Sequence, residues 1–184
     1  MSTDPRTPTP AEDDADRHVA RWRNHWIDVE FDGTVEAIVA RIGTIVRYLR
    51  DDKQRSVREA GLQGFEYDTL HSLMIRDTPG TASPSELAAD SDVSPAGMTG
   101  RLDTLEKSGY VRRRTVDGDR RRVEVEATAK GIRIWRKAMA LRGNTEEELI
   151  DVLEEPEREQ LSSLLRKLTL AIESEPEPED EPAQ

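Results

Sequence analysis

The chain has 184 residues, a formal net charge of −11 and no cysteine, which excludes disulfides, thiolate catalysis and cysteine-based redox sensing. Hydrophobic and charged residues account for 35% each, a lean apolar share for a chain long enough to bury a full core. No apolar run approaches the roughly 20 residues that a membrane-spanning helix needs.

The two ends explain the lean composition. Residues 1–16 carry five acids against the single base Arg6, and residues 173–184 carry six acids and no base. Both are interleaved with prolines, cannot bury enough apolar surface to offset ordering, and are expected to be disordered tails. They hold nearly all the excess negative charge, so the acidic total does not argue against an anionic partner for the middle of the chain. The acidic start is unlike a secretion signal, and a cytoplasmic location is expected.

Arg17 to Ile27 reads as a short helix with His18, Trp22 and His25 on one face and Val19 and Trp26 on the neighbouring stripe. Two histidines seven apart, with no acidic or cysteine partner beside them, make a poor metal site, so no metal is expected. Gly33 and Thr34 precede a long helix from Val35 to about Ala60, whose Val35, Ile38, Val39, Ile42, Ile45, Val46 and Leu49 repeat at threes and fours. Gly61 ends it. A third helix follows, with Phe65, Leu70, Leu73 and Met74 as core contacts and Asp68 either exposed or paired with a cation, Arg101 and Arg113 being the candidates.

After a break at residues 78–82, with a residue or two pairing onto a hairpin as a third strand, Ser83-Pro84-Ser85-Glu86 signals a helix start. Ser83 caps the free N–H groups, Pro84 fits the first position and Glu86 closes a capping box. Ser94-Pro95 repeats the signal only about a turn after the first helix ends. The second helix points Met98, Leu102 and Leu105 at the core and offers small residues, among them Ala96, Gly97, Thr99, Gly100 and Thr104, on its other face. Gly109 supplies a left-handed stop. Two β-rich runs, residues 110–115 and 120–127, then flank the turn at residues 116–119, whose Asp117-Gly118 is a hairpin signal. Val123, Val125 and Ala127 are expected inward, Glu124 and Glu126 outward. Six arginines against two aspartates between residues 112 and 122 leave a local excess of four positive charges.

Thr128 caps a further long helix carrying Ile132, Trp135, Met139, Leu149 and Leu153, with a kink expected at Gly143-Asn144. Pro156 opens the last helix, striped with Leu161, Leu164, Leu165, Leu168 and Ile172. Stripes outside the compact unit need a partner surface, and a second copy of the chain is the economical one.

The order helix, turn, helix, basic hairpin predicts a mainly α fold with a small β-hairpin wing, a winged helix-turn-helix, whose second helix enters the major groove of double-stranded DNA. The expected DNA contacts are Ser94, Pro95, Ala96, Gly97, Thr99, Gly100 and Thr104 on that helix and Arg114, Asp119, Arg120, Arg121 and Arg122 on the wing. Five regions are expected: tail 1–16, N-terminal helices 17–60, winged unit 61–128, C-terminal dimerisation helices 129–172 and tail 173–184. A winged helix that binds protein rather than DNA is the competing reading, and the arginine-tipped wing and small-residue helix face favour DNA. No catalytic residues and no cofactor are expected, since no nucleophile, phosphate loop or His–carboxylate arrangement is present.

From Trp22 to Ile172 the chain resembles the MarR-type (multiple antibiotic resistance regulator) transcription factors. The resemblance is carried by Asp119-Arg120-Arg121 through Ala127-Thr128, by Phe65-Glu66-Tyr67-Asp68-Thr69-Leu70 and by the run Ser94–Glu106. Ala127 stands where the family usually has Leu, Gly100 where many relatives carry a polar residue, and Thr104 where many carry Arg, so their operator sequences do not transfer. The resemblance implies a dimeric MarR-like architecture and a homodimeric, ligand-responsive repressor of a palindromic operator. The additional tryptophan-bearing helix is similar to that of the branch responding to urate and other small anions, such as phenolic or carboxylate metabolites. That likeness implies a ligand site at Trp22, Asp68, Arg101 and Arg113, with Trp26 a rival for the first position and an Asp68–Arg113 ion pair as the switch.

Overall fold

The computed structural model describes residues 11–23, 30–76, 78–116 and 119–174, and at 116 and 119–121 the backbone alone. Seven helices and three strands follow in the described chain: α1 (Asp14–Arg23), α2 (Gly33–Ala60), α3 (Gly64–Met74), β1 (Thr81–Ala82), α4 (Pro84–Asp90), α5 (Pro95–Lys107), β2 (Val111–Val116), β3 (Asp119–Ala127), α6 (Ala129–Ile150) and α7 (Glu155–Glu173). The fold is mainly helical with a small antiparallel sheet, ordered β1-β3-β2, and is a winged helix. Among the described residues no helix is long and apolar enough to cross a membrane.

Local signals place the helix ends. Ser83 accepts from the Glu86 amide while Glu86 accepts from the Ser83 amide, closing the capping box at 2.7 Å on the carboxylate side. Ser94 accepts from Gly97 N–H and Thr128 from Gly131 N–H. Gly61 and Gly109 adopt φ of 93° and 71°, the left-handed region that glycine reaches without a Cβ penalty.

Several boundaries and faces differ from the sequence reading, each for a physical reason. The first helix begins at Asp14, three residues earlier than expected. Asp13 accepts from the Asp16 amide at 2.9 Å and Asp16 from the Asp13 amide at 3.1 Å, a reciprocal cap built from aspartates. Arg41 of α2 donates to both carboxylates, and the three-way contact holds Asp13 down to a pKa of about 2, the Arg41 hydrogen bond being the largest cause. The expected end of that helix, with His25 and Trp26, lies outside the described residues. Asp32 caps α2 through the Thr34 and Val35 amides, so Gly33 opens the helix instead of separating it from its neighbour. The α6 helix runs unbroken through Gly143-Asn144. Phe65 and Met74 are only half-buried, and Tyr67, between them, is fully buried.

The core gathers Leu70 and Leu73 of α3, Leu87 of α4, Met98, Leu102 and Leu105 of α5, Val125 of β3 and Ala138 of α6. It sits inside the winged unit, with α6 leading out of it back along α2. Gly131, in the first turn of α6, lies so close to the Tyr110 carbonyl that an added Cβ would fall deep inside van der Waals contact with the main chain. Gly131→Ala is therefore expected to cost about 1–3 kcal/mol by overpacking, read as a lowered thermal midpoint. An unchanged midpoint would show that strand and helix can part.

A polar cluster joins α3 to α6. The Tyr67 and His71 rings stack at 5.3 Å, Trp135 Nε1 donates to His71 Nδ1 at 3.3 Å, and Arg142 donates to the Tyr67 hydroxyl at 2.7 Å. Burial, then the nearby Arg142 and Lys53 charges, lower the His71 pKa below 6.5, against the weaker opposing effect of Asp68. The folded state thus binds fewer protons than the unfolded state once pH falls below that ordinary value. Stability is expected to decline with acidification from about pH 6.5 through the depressed folded pKa, and to be insensitive to His71 above it. Urea midpoints between pH 7.5 and 5 check this, and His71→Gln should flatten that part of the profile.

Candidate nucleic-acid interface

With Met98, Leu102 and Leu105 fully buried, the rotation of α5 about its axis is fixed and Ala96, Gly97, Thr99, Gly100 and Asp103 are left exposed. The expected contacts Ser94 and Pro95 lie at the exposed N-terminal turn, and Thr104 is half-buried at the flank. Thr99 Oγ1 donates to the Pro95 carbonyl at 2.9 Å and Thr104 Oγ1 to the Gly100 carbonyl at 3.1 Å. Both hydroxyl protons are thereby engaged within the helix. Gly100 has open space where a side chain would project. A helix face this small can approach base edges closely, and threonine and alanine methyls suit contact with thymine methyl groups.

The wing differs from its sequence reading in charge. Glu126, expected to point outward, is 9% exposed and held between two arginines, Arg112 and Arg114, each at 2.6 Å. Arg114 also pairs with Glu124 at 2.7 Å. The antiparallel register sets Arg112 opposite Glu126 and Arg114 opposite Glu124, a cross-strand arrangement that favours opposite charges. The expected excess of four positive charges is thus halved by the two glutamates of β3, and Arg114 is engaged within the wing. Arg122 is exposed and, with Ser83, Pro84, Ser85, Pro95, Thr99 and Val123, lines a groove of about 520 Å³ between the wing and the starts of α4 and α5. The side chains of Asp119, Arg120 and Arg121 lie outside the described residues.

Arg113 faces the recognition helix. Its guanidinium meets Asp103 at 2.6 Å and Glu106 at 3.2 Å and donates to the Thr99 carbonyl at 3.2 Å, while its amide donates to Glu106 at 3.0 Å. The expected Asp68–Arg113 pair is absent, because each has a nearer partner. Asp68 pairs with Lys53 of α2 at 2.8 Å. Arg101 is half-buried on α5. Trp22 stands 44% exposed on α1, its ring edge-on to His18 at 6.0 Å. Helix α1 docks through buried Ala15 and Val19 on the start of α2, where His18 meets Glu36 at 2.8 Å. Glu36 and Lys53 are 17 residues apart on one helix, about 25 Å at its rise per residue. Within one chain the four expected ligand residues are therefore not brought together. Lys53 escaped the sequence reading because it carries no motif; its only signal is its place on the face of α2 that turns toward α3.

The chain is similar to several known proteins. Residues 68–123 match the family model described as MarR family. The chain is 26% identical over 151 residues to the HTH-type transcriptional regulator PecS of Dickeya dadantii, covering 82% of this chain and 89% of that one. It is 28% identical over 120 residues to the transcriptional repressor MprA of Escherichia coli K12, covering 65% of this chain and 68% of that one. Among solved structures, YusO of Bacillus subtilis aligns with a TM-score of 0.67 at 22% identity, over 78% of this chain and 99% of that one. A point mutant of MepR from S. aureus, bound to an oligodeoxyribonucleotide, aligns with a TM-score of 0.60 at 19% identity, again over 78% and 99%.

The wing's internal pairing gives a contrast to measure. Arg122→Ala is expected to weaken binding to all DNA sequences and to reduce the salt slope by about one. Arg114→Ala, which removes a cation already paired within the sheet, should change that slope less. Equal slopes for the two variants in a salt-titrated gel shift would refute the distinction.

Proposed function

We propose that the chain is a DNA-binding transcription regulator of the MarR family, a homodimeric repressor that binds a palindromic operator and is released by a small anion. The observation that carries the dimer is the apolar surface left uncovered on a single chain. On α2, Val35, Ile38, Val39, Ile42, Ile45 and Val46 are exposed, and on α7 so are Leu161, Leu164, Leu165 and Leu168. The α7 helix buries none of its residues in its own chain. Contiguous apolar surface of this extent marks an interaction site, and a two-fold pairing also duplicates the recognition helix for a two-fold DNA site.

The dimer reads two half-sites about one helical turn, roughly 34–36 Å, apart, with α5 at base edges and Arg122 and the neighbouring wing arginines at phosphates or in the minor groove. Release by an anion is supported by the cations Arg50, Lys53 and Arg58 that line a groove between α2 and α3. Sedimentation at micromolar concentration should give a dimer, and Leu165→Glu should abolish it by burying an unpaired charge at a cost of several kcal/mol. A stable, folded, wild-type monomer would sink the reading. Footprinting on the DNA flanking the gene should protect two symmetric half-sites, lost together in Leu165→Glu.

A further inference from the structure

We propose that α5 reads its half-site through the 5-methyl groups of thymine, one of them seated over Gly100, without a direct hydrogen bond to guanine. The proposal rests on the DNA-binding reading above and adds to it the class of sequence that the helix selects.

Base edges in the major groove differ in hydrogen-bond donors, acceptors and the thymine methyl. Guanine offers only acceptors there, so a side chain has to bring it a donor, most often from arginine or lysine. Among the described residues, the outward face of α5 from Ala96 to Thr104 brings none. Ala96, Gly97 and Gly100 have no polar side-chain atom. Thr99 and Thr104 have committed their protons to the Pro95 and Gly100 carbonyls, and a hydroxyl so engaged can accept a hydrogen bond but not donate one. Asp103 is an acceptor alone, held by Arg113 at 2.6 Å. Ser94, at the cap, has its oxygen turned onto the Gly97 amide at 3.2 Å. Arg101 lies two residues past Thr99, about 200° round the helix, and is half-buried on the flank away from the wing. Lys107 stands at the C-terminal end of α5, whereas the N-terminal turns of such a helix meet the bases.

What the face presents instead is carbon. A Cβ added to Gly100 would meet nothing within 4 Å, and Ala96 and Thr104, four residues to either side, stand on the same stripe. Gly100 is therefore the floor of a notch one side chain wide, between an alanine methyl and a threonine. Thymine fills such a notch with a gain, because its methyl gives up no hydrogen bond on leaving water. The amino groups of adenine and cytosine would be pressed against carbon at a cost. Thr99, one position before the notch, also borders the groove that Arg122 lines. A docking that brings Arg122 to the DNA backbone thus brings the notch to the base edges.

The test begins with full-length protein selecting sites from a random duplex library. The selected duplex is then remade with deoxyuridine in place of each thymine in turn, which removes the methyl and keeps every hydrogen-bonding atom. In each half-site one such change should weaken binding about fourfold, as the burial of one methyl implies, and the symmetric pair about fifteenfold. Substituting 7-deazaguanine, which lacks the N7 acceptor, at any half-site guanine should cost less than about twofold. Alanine is preferred over glycine within a helix, so Gly100→Ala fills the notch without a folding cost, which circular dichroism and the thermal midpoint verify. It should bind the thymine duplex about fourfold more weakly than wild type and no longer distinguish it from the uracil duplex. A protein that binds no duplex overturns the DNA-binding reading and this proposal together. An enriched sequence indifferent to uracil at every half-site thymine, or one weakened about tenfold by 7-deazaguanine, overturns methyl readout alone and leaves DNA binding standing. A thymine preference that survives unchanged in Gly100→Ala overturns the seat at Gly100.

Discussion

A single guanidinium, that of Arg113, joins the wing's first strand to the recognition helix. It reaches Asp103, Glu106 and the Thr99 carbonyl at once, so it spans about two turns of α5 from one residue of β2. The hydrophobic core fixes which face of α5 is buried, but burial is tolerant of small rotations and slides. The directional contacts of Arg113 are not. They set the distance between α5 and the hairpin, and in the proposed mode of DNA binding the spacing of base and backbone contacts depends on that distance. Asp103 and Glu106 are acidic residues on the helix proposed to bind DNA, an arrangement that would repel phosphate if they were free. Their engagement by Arg113 removes part of that penalty and turns it into a structural contact.

Other ion pairs brace the wing and the docking of α1. Cations of β2 are matched by glutamates of β3, and those at the start of α2 by aspartates of α1. Among the described residues, Arg122, exposed beside the groove at the starts of α4 and α5, is one of the cations outside any such pair. In a chain with a formal charge of −11, such local surpluses matter more than the total, because the field near a surface is dominated by charges within a Debye length of about 8–10 Å.

Much of the fold was legible in the sequence because its signals are local. The caps at Ser83, Ser94 and Thr128, the glycine stops at Gly61 and Gly109 and the stripe Met98-Leu102-Leu105 each depend on residues a few positions apart, and the structure has all of them. The early start of α1 was missed because Asp13 and Asp16 read as members of an acidic tail, when they are a cap anchored by Arg41, 25 or more residues away. The partners of Asp68 and Glu126 were missed for a related reason. Lys53 meets Asp68 across 15 residues and Trp135 meets His71 across 64, and no periodicity connects such positions. For the wing, composition suggested a local excess of four positive charges with Glu124 and Glu126 pointing outward. Register decided otherwise, by setting Glu124 and Glu126 opposite two of the arginines.

The ladder formed by Arg112, Arg114, Glu124 and Glu126 has a consequence for the kinetics of recognition. Long arginine side chains on a lone hairpin sample many rotamers, and fixing each one on association costs about 0.5–1.5 kcal/mol. Here the base of the wing is braced before any encounter, so two of its arginines have already given up that freedom during folding. On the proposed reading the wing would meet DNA as a prong stiffened at its root, with Arg112 and Arg114 already ordered. Raising the salt concentration should therefore act on it twice, by screening the phosphates and by loosening the brace that keeps the prong straight.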